Sequence, residues 1–195
     1  MNGRTVVITA LTATFLGSLY FVYAPSTFPN MTKSASKAPS GVPGLEFKLS
    51  QISKNPPSLL VTLKNSSPGL SFTLLKWGTP LDPQASNLGV FQLIDAETGE
   101  AVKSDILKIG RKMPPSRDDL QEISPGTEHA IEVVLDKPWM PRKKPAKYKV
   151  TAQGKLHGVW EKPASELATE ELESYADSPF SDRAFSTEEV LLAVE

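Results

Sequence analysis

Residues 59–83, LLVTLKNSSPGLSFTLLKWGTPLDP, constrain this chain more than any other stretch. Leu59, Val61 and Leu63 alternate with Leu60, Thr62 and Lys64, the period-2 pattern of a strand with one buried face. Asn65-Ser66-Ser67-Pro68-Gly69 is a dense turn cluster, and residues 71–77 read as the partner strand. A Pro-punctuated loop follows. A chain organised around such a unit is antiparallel β.

The same patterning recurs on both sides. Leu45, Phe47 and Leu49 alternate with Glu46, Lys48 and Ser50 to give a first strand. Residues 88–94 (LGVFQLI) predict a fourth, closed by the turn Asp95-Ala96-Glu97-Thr98-Gly99. Residues 106–111 predict a fifth, halted by Met113-Pro114-Pro115. After the turn Ser124-Pro125-Gly126-Thr127, Ile131, Val133 and Leu135 face one way, with Glu132 and Asp136 opposite. Tyr148, Val150 and Ala152 alternate with Lys147, Lys149 and Thr151. About seven short strands with regular turns and no long amphipathic helix predict an all-β fold, an immunoglobulin-like antiparallel β-sandwich over residues 45–160.

Beyond Gly154 the pattern changes. Residues 165–175 (SELATEELESY) carry a Ser N-cap candidate, early acids, and Leu167 and Leu172 on one face, so a short C-terminal helix is expected. Val190–Val194 reads as a last strand, although Ser186-Thr187-Glu188-Glu189 is also a helix start. Residues 161–195 hold ten acids and two bases, whereas residues 1–160 hold 19 bases and 12 acids. The expectation is an acidic C-terminal extension lying over a basic body.

The N-terminus is a targeting segment. Asn2-Gly3-Arg4 precedes 19 uncharged residues, 6–24, ending in Val22-Tyr23-Ala24. This is either a cleaved secretory signal or an uncleaved signal anchor, because the run approaches the roughly 20 residues that span a bilayer. Residues 25–44, rich in Ser, Pro, Lys and Ala, read as a flexible linker. Both alternatives export the domain, and only an uncleaved segment would hold it on a membrane. Asn30-Met31-Thr32 and Asn65-Ser66-Ser67 are acceptor sequons, so Asn30 and Asn65 are candidate glycosylation sites. With no cysteine among 195 residues, the sandwich holds by packing alone, and thiol chemistry and Cys-ligated zinc are excluded.

The order VTLKN, LLKWGTPLD, VFQLIDAETGE, ILKIGRKMPPSRDDLQEISPGTEHAIEVVLD, AKYKV resembles the N-terminal propeptide domain of deuterolysin-type fungal zinc metalloproteases. That family's Gly-Thr-x-Leu-Asp segment is matched by Gly78-Thr79-Pro80-Leu81-Asp82, and its basic pair after an isoleucine strand by Arg111-Lys112. Ile123-Ser124-Pro125-Gly126 matches its L-x-P-G turn loosely. The similarity spans roughly residues 45–148. It implies a relative of a pro-region, a class that inhibits its enzyme or helps it fold. The catalytic domain with its His-Glu-x-x-His helix has no counterpart, since His129 and His157 are each alone and neither precedes Glu.

No catalytic, cofactor-binding or metal-binding residue is assigned. Both histidines read as structural or surface groups, and Asp118, Asp119 and Glu122 lack the spacing of a calcium loop and read as a solvated turn. Two basic clusters, Lys108-Arg111-Lys112 and Arg142, Lys143, Lys144, Lys147 and Lys149, read as solvated faces, since a nucleic-acid surface wants interleaved aromatics on a basic domain and the leader argues for export. The expected partner is therefore a protein, with a secreted protease implied by the resemblance. The residues expected to touch it are Arg111, Lys112, and the loop aromatics Trp139 and Trp160. A cell-surface or wall-associated module that binds glycans through its tryptophans is the alternative.

Overall fold

The computed structural model describes residues 41–195. The expected leader, Asn30 and residues 25–40 of the expected linker lie outside the described residues. Ten strands follow in order: β1 (Leu45–Lys54), β2 (Pro57–Asn65), β3 (Phe72–Leu75), β4 (Phe91–Asp95), β5 (Leu120–Ile123), β6 (Glu128–Val134), β7 (Ala146–Lys155), β8 (Val159–Trp160), β9 (Ala184–Ser186) and β10 (Val190–Val194). All pairing is antiparallel, in sheets β1-β2-β6, β10-β7-β4 (with β9 also on β7) and β5-β3-β8. The all-β sandwich is as expected, and one short helix, α1 (Thr169–Glu173), lies near its end.

The alternating strands keep their buried faces. Leu59, Val61 and Leu63 of β2 and Tyr148, Val150 and Ala152 of β7 are buried and join a common core with Phe72, Leu93 and Leu192. A second, smaller cluster gathers Leu75, Trp77, Leu120, Trp160, Leu167 and Leu172. Leu167 and Leu172 are therefore buried as their spacing implied. The segment is not one continuous helix from Ser165, however. A 3-10 turn (Ala164–Glu166) precedes α1, and the Glu171 carboxylate accepts the Ala168 N–H.

Residues 106–111 form no strand. The outer edge of β4 is already occupied by its own return, with Asp95 N–H donated to Glu100 O and Val102 N–H to Leu93 O. Ile106 and Leu107 stay exposed, and the slot beside β3 is filled by Leu120–Ile123. Residues 88–94 begin as a turn at Gly89, and the strand starts at Phe91.

The boundary expected at residue 160 does not divide the fold. Strands β9 and β10 both pair with β7, and Phe185, Leu192 and Val194 are buried in the main core. The Phe185 ring lies 5.3 Å from that of Phe47 at the other end of the chain. Residues 41–44 likewise belong to the domain rather than the linker: Gly41 N–H donates to Ala184 O, and Val42 is buried. Charge does link the acidic segment to the body, through Lys54–Glu195, Lys149–Glu189 and Lys155–Asp182. These pairs are about half exposed or more, and each is worth about 1 kcal/mol or less. Burying three apolar side chains contributes roughly 1.5–3 kcal/mol apiece, so packing and not charge holds the segment.

Candidate functional site

The site is built on the turn after β3. Gly78 has a φ of 65°, and a Cβ there would sit 3.0 Å from His157 Nε2, so glycine alone fits. The buried Thr79 hydroxyl donates to Lys76 O at 2.7 Å. The chain then winds so that Asp82, 2% exposed, turns its carboxylate back into the turn. Oδ2 accepts the Gly78 N–H and Oδ1 the Gln84 N–H, each at 2.9 Å.

Arg111 closes the arrangement. Its guanidinium pairs with Asp82 and lies 5.5 Å from the Trp77 ring centroid. Trp77 is pinned from two other sides, with Nε1–H donated to Asp119 Oδ1 at 2.9 Å and the Tyr175 ring edge-on at 5.8 Å. For Asp119, burial pushes the carboxyl up, but hydrogen bonds from Ser116 and the Trp77 indole outweigh it and hold the group below its ordinary range. The two segments noted separately in the sequence, Gly78 to Asp82 and Arg111-Lys112, are thus bonded to each other.

Between these anchors, residues 103–113 form a strap. Within it one backbone N–H is donated among the described residues, from Leu107 to Asn87 O at 2.8 Å. Ile106, Leu107 and Met113 are 66%, 51% and 54% exposed. Beneath the strap is a hollow of about 450 Å³, lined by Trp77, Ile109, Arg111, Met113, His157 and Tyr175. An exposed apolar ridge thus sits beside an aromatic recess, and Arg111 fixes both. Such an arrangement suits recognition of a protein surface.

Of the expected contact residues, Arg111 and Lys112 lie on the strap, and Trp139 and Trp160 fall elsewhere. Lys112 is exposed on the strap, but Arg111 is committed to Asp82 and Trp77 and acts inward. Trp160 is not on an exposed loop: it ends β8, is 4% exposed, and packs in the second core because the C-terminal segment folds back over it. Trp139 is half-buried against the main core, and its Nε1 is buried with no partner among the described residues. The three tryptophans therefore form no common platform. Among the described residues, no group of three or more His, Asp or Glu gathers as a metal site.

Asn65 is also displaced from its expected place. It is fully buried, not at a turn tip, and its Nδ2 donates to Leu70 O (2.7 Å) and Ile123 O (3.2 Å). Its Oδ1 accepts the Ser67 N–H at 2.9 Å. The amide ties its own turn to the end of β5, and a glycan on it has no room in this fold. Asn65→Ala strands two carbonyls and one N–H, so urea unfolding is expected to show a loss of about 2–3 kcal/mol. Peptide mapping of the secreted protein should show no glycan at Asn65.

Comparison with known proteins agrees with the geometry. A family model for an immunoglobulin-like domain matches residues 44–194. This chain belongs to the immunoglobulin-like domain family. The match takes in β9 and β10, in accord with their pairing on β7. The immunoglobulin-like domain is also similar to an uncharacterized secreted protein of Arthroderma benhamiae, 36% identical over 121 residues. That alignment covers 60% of this chain and 60% of the relative's length. Among the described residues of the domain, no helix is long and apolar enough to cross a membrane.

Proposed function

We propose that this chain is a secreted, non-catalytic immunoglobulin-like module that binds a protein partner through the strap of residues 103–113 and the adjoining recess. The observation that carries the reading is the strap itself. It is an exposed segment with almost no backbone partners, and its base is fixed by the Asp82–Arg111 pair. Segments of this kind enter a partner's cleft by offering free main-chain groups and alternate side chains. Export follows from the leader, and the relative's description as a secreted protein agrees with it. Asn30 remains the glycan acceptor of this reading.

The partner class proposed is a secreted protease. It rests on the resemblance to deuterolysin-type pro-regions, whose two motifs coincide here with the turn and the strap base. Binding would be inhibitory by occlusion of the cleft, with no covalent step. The glycan-binding alternative loses its main support, because Trp160 is buried and Trp139 is half-buried away from it.

The test is capture of partners from secreted material, with a deuterolysin-type protease assayed beside it. Dose-dependent inhibition is expected, and Ile106→Asp with Leu107→Asp should weaken it at least about 100-fold, the scale of central interface residues. Because both side chains are exposed, the melting temperature should hold. Recovery of no protease and unchanged activity would sink the reading.

A further inference from the structure

Two of the stretches of backbone that lack a strand partner on one side among the described residues have complementary chemistry. The first is the outer edge of β6. Leu135 N–H bonds Pro57 O and Asn65 N–H bonds Thr127 O, each at 2.9 Å, which fixes the parity of the β2–β6 ladder. His129, Ile131 and Val133 therefore turn their main-chain groups toward β2. Glu128, Ala130, Glu132 and Val134 turn theirs away, with exposed side chains, and β6 pairs with β2 alone.

Two other edges are partly occupied. The edge of β4 is taken by its own return, and β1 meets β10 through the Gln51 carboxamide, which accepts from Ala193 N–H at 2.9 Å and donates to Ala193 O at 2.6 Å. The β6 edge carries two acids four residues apart, around a small residue.

The second stretch is the strap. Leu107 N–H is donated to Asn87 O, and no other backbone N–H of the strap is donated among the described residues, so its main chain is open to pairing once it extends. From Lys108 to Lys112 exposure alternates as in a strand: Lys108, Gly110 and Lys112 are exposed, Ile109 and Arg111 turned in. The exposed positions thus hold two cations four residues apart, around a glycine.

We propose that the strap of one copy adds to the β6 edge of a second copy as an antiparallel strand, with Lys108 opposite Glu132, Gly110 opposite Ala130 and Lys112 opposite Glu128. Every residue in this register meets one whose main-chain groups are also free, and each cation meets an acid. Sliding by two residues places Lys112 against Ala130 and leaves Glu128 without a cation. The proposal uses the same strap as the protease reading but does not rest on it, and its test involves no protease.

Sedimentation velocity on the secreted full chain tests it. Concentration-dependent association is expected at low ionic strength, weakened at least tenfold near about 0.5 M salt, where exposed charges are screened. Lys108→Glu with Lys112→Glu should abolish it, as should Glu128→Lys with Glu132→Lys. The four changes together should restore it, and mixing the two double variants should give a heterocomplex, since one supplies a native edge and the other a native strap. Ala130→Pro removes an outward N–H without touching the β2 ladder, and should also prevent association. A chain that stays monomeric throughout, association insensitive to either charge pair, or failure of both the four-fold swap and the mixture to associate would overturn the proposal.

Discussion

Asp82→Ala is expected to destabilise the domain by about 4 kcal/mol, lowering its melting temperature by roughly 8–16 °C. The size follows from what the carboxylate does. It accepts two backbone N–H groups and faces the Arg111 guanidinium, while being 2% exposed. Removing it leaves the Gly78 and Gln84 N–H groups without their acceptor, each costing about 1–3 kcal/mol where water cannot replace it. It also leaves Arg111 with only the Trp77 face.

Arg111→Met should cost less, about 2 kcal/mol, because the two N–H donors still stabilise the Asp82 charge. The two changes share one interaction, so their effects should fall short of additivity by about 1–3 kcal/mol in a double-mutant cycle. The cycle also reads on function. Arg111 ties the base of the strap, so Arg111→Met should loosen residues 103–113 in hydrogen exchange while the β2–β7 core stays protected. An Asp82→Ala chain that melts like the parent would show that the turn does not tether the strap.

Much of the fold is legible in the sequence where a strand has one wet face and one dry face. β1, β2 and β7 alternate over most of their nine or ten residues, and their buried faces follow from that. β5 is not legible, because Leu120 and Ile123 are both buried around two more exposed residues, a spacing without period 2. The run at 106–111 shows the converse. It is as apolar as a strand, but the neighbouring edge is taken, so its isoleucine and leucine remain outside. Asn65 sits in a Ser/Pro/Gly turn cluster, and sequence cannot show that its amide is used inward. The site was half visible. Both of its motifs stand out in the sequence, yet they lie 29 residues apart, and only folding brings Asp82 to Arg111.

Trp160→Ala is the second large effect, and it separates a core role from a binding role. The indole is 4% exposed, on a two-residue strand that pairs with Thr73 and Leu74 of β3. It packs so closely over Gly158 that a Cβ there would lie 2.8 Å from Cη2, with Leu75, Leu167 and Leu172 in the same cluster. Truncation leaves a cavity that these neighbours can fill only in part, so a loss of about 3–5 kcal/mol is expected in urea unfolding. Hydrogen exchange should rise first in residues 164–175, which rest on this cluster and carry little other burial. Trp139→Phe provides the contrast: it removes a buried N–H with no partner among the described residues while keeping most of the ring's packing, and should be neutral or slightly stabilising. If instead Trp160→Ala melted within about 2 °C of the parent, a change below 1 kcal/mol for a domain of this size, the indole would be a free surface group after all. A binding role for it would then be restored.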